Sequence, residues 1–228
     1  MNEYLAMLKE KKLTLIMSLP ANDPSLCRAA FEAGADAVKV HINVDHRASG
    51  THFGRLAEER EALETMLEGR HGPMGLVIGG SLEAAGLDAA EAAELPFAFH
   101  SVYAHHLPVW APRGQAALMA ACDSSYSMEL IAGMGPLGVD VCEASVIPGN
   151  EYGQGLSLKD LLLYRQIAET AGIPVVIPTQ RAIRPEEVSA LIRCGVKGLM
   201  IGAVVTGKTE QTIAAAVMAF RKAIDEVR

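Results

Sequence analysis

Residues 38–45 read Val38-Lys39-Val40-His41-Ile42-Asn43-Val44-Asp45. Every second residue is apolar and β-branched, and the residues between are a cation, an imidazole, an amide and a carboxylate. Strand side chains alternate between faces, so the four polar groups share one face and the aliphatic ones the other. An open sheet covered by helices on both sides would bury both faces and read apolar throughout. A closed barrel instead has an aliphatic outer face under helices and an inner face whose mouth gathers polar groups onto a ligand. The pattern predicts a strand over 36–45, with Lys39, His41, Asn43 and Asp45 turned to a lumen and Val38, Val40 and Ile42 beneath helices.

Working outward, apolar runs alternate with helical patterns, the signature of βαβ units and a parallel sheet. Strands are expected at 13–19, 36–45, 74–79, 97–104, 128–133, 139–147, 174–178 and 197–203. Helices are expected at 2–11, 23–33, 55–69, 88–94, 113–122, 157–171, 185–194 and 209–226. Asp23 and Pro24 supply an N-cap and a first-turn proline, and Gly34 closes that helix. Eight strand–helix units in 228 residues predict an α/β protein, one (β/α)8 TIM barrel domain over 1–228, with a reduced helix after the fifth strand. A doubly wound open sheet is the alternative. No GxGxxG follows the first strand, so nothing points to a dinucleotide.

The formal net charge of −7 and pI of about 5.5 argue against nucleic acid or an anionic membrane as partner. No apolar run reaches membrane-spanning length. Cys27, Cys122, Cys142 and Cys194 are scattered and form no CxxC pair, as expected of a reducing compartment. The opening MNEYLAMLKEKK lacks the apolar core of a signal peptide. These features give the expectation of a cytoplasmic protein; the assembled form is expected to be a homo-oligomer.

Gly195–Thr212 reads GVKGLMIGAVVTGKTEQT. An apolar strand ends at Gly202-Ala203, and Thr206, Gly207, Lys208 and Thr209 precede a helix. Small residues let backbone N–H groups approach a ligand, and a helix start adds partial positive charge. Gly202, Ala203 and Thr206 are therefore candidate phosphate-binding residues. Here the chain resembles the ribulose-phosphate-binding barrels, and among them the N-acylglucosamine-6-phosphate 2-epimerase family. PVVIPTQRAIRPEE (174–187) is similar to that family's seventh strand and loop, with Arg181, Pro185 and Glu186 matching. GLMIGAVVTGK is similar to its eighth strand. His41 and Asn43 occupy the frame of the family's Arg-x-Asn in strand two. Where the family's third strand ends in a catalytic lysine, this chain has LVIGG, with Gly79 near the place. The resemblance implies the fold and a phosphate site and leaves the reaction open.

Lys39 and Glu143 are the leading acid–base candidates, with His41 beside them. Glu143 lies in the nearly apolar run DVCEASV, where an ionisable group needs a partner. If it faces the lumen, Lys39 or His41 is that partner. Lys39 is also placed to form a Schiff base with a carbonyl. Asn43, Asp45, Arg47, His100 and Arg181 are candidate substrate-binding residues, and Arg55 is a further cation for anions. His41, His46, His52, His100, His105 and His106 cluster in two strand–loop regions; with Asp45 they offer a divalent metal site as an alternative to an enzyme without cofactor. HRASGTHFGR and PGNEYGQGLS are candidate lids, and Trp110 a candidate cavity wall. The expected activity is isomerisation or epimerisation of a small phosphorylated substrate by proton transfer next to a carbonyl. A carbon–carbon lyase using Lys39 and a barrel that only binds a phosphorylated ligand are the alternatives.

Overall fold

Eight parallel strands close into a single barrel in the computed structural model, which describes residues 2–227. In chain order the strands are β1 (Thr14–Ser18), β2 (Ala37–His41), β3 (Val44–His46), β4 (Thr51–Phe53), β5 (Met74–Val77), β6 (Phe99–Tyr103), β7 (Ala117–Cys122), β8 (Val141–Ala144), β9 (Val175–Pro178) and β10 (Gly198–Ile201). β1 pairs with both β2 and β10, and the ring closes through β5, β6, β7, β8 and β9. β3 and β4 stand apart as an antiparallel hairpin. The helices are α1 (Glu3–Glu10), α2 (Pro24–Glu32), α3 (Leu56–Glu68), α4 (Leu82–Leu87), α5 (Ala89–Glu94), α6 (Met128–Ala132), α7 (Leu158–Thr170), α8 (Val188–Arg193), α9 (Ala203–Thr206) and α10 (Glu210–Glu226). No helix among the described residues is long and apolar enough to cross a membrane.

Two apolar cores follow from the period-two alternation. Val38, Val40 and Ile42 lie in the outer layer with Leu26, Phe31, Leu63 and Met66 of the helices. The lower lumen is plugged by Ile16, Ala37, Phe99, Met119, Val141, Val176 and Met200, and α1 closes it with Tyr4 and Leu8. The Tyr4 and Phe99 rings stack with centroids 4.0 Å apart. Gly75 is required there, because any Cβ would collide with the Phe99 ring. Above this plug the lumen turns polar.

Local signals account for α2: Asp23 accepts a hydrogen bond from the Ser25 N–H at 2.7 Å, Pro24 opens the helix, and Gly34 beyond it has φ +104°. Three expectations are corrected. Ala117–Cys122, expected as a helix, is the fifth barrel strand. Its alanine, leucine and methionine favour helix by propensity, but Ala117 and Met119 fill the lumen while Leu118 and Cys122 pack under the helices. The strand expected at 128–133 is α6, capped by Ser127, whose hydroxyl accepts from the Leu130 N–H at 3.4 Å. The expected strand 36–45 ends at His41. Asn43 takes φ +54° and turns the chain into the hairpin. Alternation ran on through residue 45 because β2 and β3 are both extended on either side of that turn.

Candidate functional site

Lys39 on β2 and Glu143 on β8 come from strands diametrically opposed in the ring. Their side chains meet across the lumen, with Lys39 Nζ 3.5 Å from Glu143 Oε2. Each residue is only 6 % exposed. A carboxylate so deep needs donors on both oxygens. Ser101 Oγ donates to Oε2 at 3.0 Å and Ser145 Oγ to Oε1 at 2.8 Å. The pair forms the floor of a cavity of about 470 Å³ that opens at the C-terminal ends of the strands. The partner expected for Glu143 is thus Lys39, and the open part of the cavity lies above the pair.

His41 continues the lumen face of β2 one step towards the mouth. Its Nε2 lies 3.5 Å from Ser18 Oγ, and Nδ1 has no partner. The ring is covered by two others from the hairpin, His46 at 4.5 Å and Phe53 at 4.7 Å between centroids. Burial, reinforced by His46 and Lys39, holds the His41 pKa well below the usual imidazole value. Burial likewise lowers His46 to about 4. At neutral pH both rings are therefore uncharged donors and acceptors, and Lys39 and Arg47 supply the positive charge lining the cavity.

The other expected site residues divide. Arg47 and Asp45 line the cavity from the hairpin, and Asp45 is bound to His52 Nδ1 at 2.7 Å. Asn43 does not face the lumen: it donates to Ile78 O at 3.4 Å and Asp88 Oδ2 at 3.0 Å. Asp88 also takes Arg55 through both oxygens and the Leu56 N–H. The Arg55 fork, with the other donors behind it, holds the Asp88 carboxyl well below its usual range, and Arg55 is tied to this junction, outside the cavity wall. His100 points outward, because β6 sends Phe99 and Ser101 inward and its alternate residues under the helices; it is not part of the cavity wall. Arg181 is 8 % exposed and engaged by Glu151 at 2.6 Å and Asp160 at 3.0 Å, so it ties the loop after β8 to α7 and lies outside the cavity wall. Gly202 lines the cavity, but its N–H already donates to Thr179 Oγ1 at 3.0 Å. Ala203 and Thr206 lie behind it in α9 and outside the cavity wall. Trp110 is 69 % exposed and packs near Gly86, outside the cavity. At Gly79 a Cβ would collide with the Ala85 backbone, so no lysine fits that position.

The histidines do not assemble as ligands for a metal. The His41 and His46 rings pack at a tilt of 39° with centroids 4.5 Å apart, His52 pairs with Asp45 on the solvent side, and His100 points away. Among the described residues no three histidine, cysteine, aspartate or glutamate side chains converge on a point suited to a metal ion.

Ser18, Ser101, Ser145, Tyr103, Tyr152 and Thr179 also line the cavity and were not anticipated. The signal for three of them is the period that located Lys39. Ser101 and Tyr103 alternate in phase with Phe99, and Ser145 lies two residues beyond Glu143. Of the two expected lids, the loop after β8 is stitched down: Gln180 accepts from the Ile147 N–H at 3.0 Å and donates to Tyr152 Oη at 2.6 Å. The hairpin is held at its sides, by Thr51 Oγ1 donating to Pro20 O at 2.8 Å and by Lys208 on Ser49 O.

No protein-family model and no curated protein sequence matches the chain. Solved structures do match along its whole length. Thiamine phosphate pyrophosphorylase from Pyrococcus furiosus is 18 % identical with a TM-score of 0.64, covering 95 % of this chain and 97 % of its own. Tryptophan synthase subunit alpha from Legionella pneumophila is 17 % identical with a TM-score of 0.69, covering all of both chains. Tryptophan synthase from M. tuberculosis is 15 % identical with a TM-score of 0.70, covering 96 % of each chain. At these identities the likeness is one of fold, and the chain is a (β/α)8 TIM barrel.

Proposed function

We propose that the chain is an enzyme that moves a proton on the carbon next to a carbonyl of a small phosphorylated substrate, giving isomerisation or epimerisation, with Lys39 and Glu143 as the acid–base pair. The observation that carries this reading is the Lys39–Glu143 contact of 3.5 Å at the floor of the cavity. A buried ion pair contributes little net stability compared with apolar packing, so its presence in an otherwise well-filled barrel favours a chemical role. Glu143, held by two serine hydroxyls, takes the proton. The Lys39 ammonium polarises the carbonyl oxygen or returns the proton. Isomerisation uses both groups on one face of the substrate, in keeping with a ligand resting above the pair.

The phosphate end is assigned to the corner where Gly202, Ser18 and the Thr179 hydroxyl meet. The Gly202 Cα presents no side chain there, with Ser18 in ordinary contact range of the position a Cβ would take. The name of the thiamine phosphate pyrophosphorylase neighbour points to a phosphate-bearing molecule, which supports this assignment. The likeness to the N-acylglucosamine-6-phosphate 2-epimerase family supports a phosphate site and leaves the reaction open; Gly79 removes that family's lysine, and Lys39 takes its place in this scheme. Turnover of a panel of phosphorylated aldoses, ketoses and amino sugars, followed by NMR, tests the reading. Interconversion that vanishes in both Lys39→Met and Glu143→Gln supports it; a protein that binds members of the panel and converts none is a binding barrel.

A lyase through a Lys39 Schiff base is the second reading, favoured by the loose 3.5 Å hold on the amine. Borohydride with a carbonyl substrate would then leave on Lys39 a reduced secondary amine, adding the substrate's mass less the oxygen lost as water, whereas an isomerase of the first kind leaves Lys39 unmodified.

A further inference from the structure

The loop after β8 contains a glycine whose reason is not its backbone. Gly149 is absent from the positions with positive φ, so any residue fits its conformation. It lacks a side chain because the Arg47 guanidinium occupies the space: a Cβ there would overlap Arg47 Nη1 and crowd Cζ at 2.7 Å. Arg47 crosses from the hairpin turn to reach it, with Cζ 6.0 Å from the centroid of the Tyr152 ring, within cation–π range. The two glycine-bearing segments of the sequence thus meet at this one side chain, at the mouth of the cavity that all three residues line.

The seat is tied down by hydrogen bonds, whereas the Arg47 side chain has no polar partner among the described residues. Gln180 binds Ile147 and Tyr152, and the Gly153 N–H donates to Gln180 O at 2.9 Å. Arg181 grips Glu151. Arg47, by contrast, makes no side-chain hydrogen bond and has no carboxylate within ion-pair distance among the described residues, while Lys39, the other cation on the wall, is neutralised by Glu143. A guanidinium fork left without an anion at a cavity mouth matches carboxylate and phosphate oxygens two at a time.

We propose that Gly149 and Tyr152 form a seat that presents Arg47 over the cavity mouth, and that Arg47 held there selects ligands bearing an oxyanion. Gly149 is then a positioning residue and Arg47 the group that touches the ligand. This deepens the proposed function by adding an anion contact at the mouth, and it does not depend on the chemistry at Lys39 and Glu143.

The full-length chain is titrated with inorganic phosphate and, separately, with acetate at constant ionic strength. The readout is the Nε–Hε resonance of Arg47, identified by its loss in Arg47→Met. Saturable movement with either anion supports the proposal, and the tighter of the two names the oxyanion. Gly149→Ala is expected to weaken binding about tenfold, the scale of one charge-assisted contact, with an unchanged melting temperature, because the flexible end of Arg47 yields without disturbing the core. The Arg47→Met/Gly149→Ala double variant should bind no worse than Arg47→Met alone. Tyr152→Leu, which removes the ring from beneath Arg47, should repeat the Gly149→Ala loss. An Arg47 resonance that ignores both anions, or losses from Arg47→Met and Gly149→Ala that simply add, overturns the proposal. Phosphate bound calorimetrically while Arg47 stays silent overturns this inference and leaves the proposed reaction standing.

Discussion

Replacing His100 by leucine should flatten the acid side of the protein's stability profile while leaving the cavity intact. His100 is 4 % exposed beneath α5 with Nε2 lacking any partner. Burial lowers its pKa from 6.5 to about 4, with the Ala92 backbone pulling the other way. The unfolded chain therefore takes up the proton first as pH falls. Stability from this group is complete above about pH 6.5 and is lost progressively down to about pH 4. Those two values place the loss at pH 5 at about 2 kcal/mol relative to pH 7.5. Urea denaturation at the two pH values measures it. The wild type, which also carries His41 and His46 with lowered values, should lose about 2 kcal/mol more between them than His100→Leu does, with equal m-values. At pH 7.5 the variant should be at least as stable, since an unpartnered buried polar atom has gone. Equal acid losses in both proteins would refute the reasoning and the outward placement of His100 with it.

Asn43→Ala should cost about 1–2 kcal/mol, through the positive φ and the lost bonds to Ile78 and Asp88. Hydrogen exchange should quicken over residues 44–53, with Asn43→Gly losing less. Arg181→Met should destabilise by about 3 kcal/mol, because buried Asp160 loses its cation. Limited proteolysis should then open at 149–156, the segment Arg181 holds through Glu151. Cleavage confined to other loops would show that Arg181 does not tie that segment.

The fold was legible where pattern and burial agree. β2 declared a two-faced strand, and α2 carried both its cap and its stop. The fifth barrel strand was hidden because a barrel lumen accepts small helix-favouring residues such as Ala117 and Ala121, so tertiary packing overrode propensity. The Ser127 cap and Gly133 were present in the sequence and marked the neighbouring helix. In the lumen, the inward turn of Lys39 and His41 was readable from alternation, and Glu143 stood out as an ionisable group in a nearly apolar run. Asn43 was not readable in that way, because its left-handed conformation breaks the phase without interrupting the pattern. Arg181 and Arg55 look like anion binders in sequence; only the fold shows the carboxylates that consume them. The Gly149–Arg47 fit joins segments a hundred residues apart and leaves no mark in either.

In the proposed reaction Lys39 and Glu143 exchange a proton with bound substrate. The direct measurement is deuterium incorporation from D2O at the carbon next to the carbonyl of the phosphorylated compound that the protein converts. The wild type should wash deuterium into that position, and Lys39→Met and Glu143→Gln should each slow incorporation by roughly 10²-fold or more while the substrate still binds. Incorporation at the wild-type rate in both variants, in folded protein, would contradict the account and move the chemistry to the histidines of the hairpin and the β6 loop.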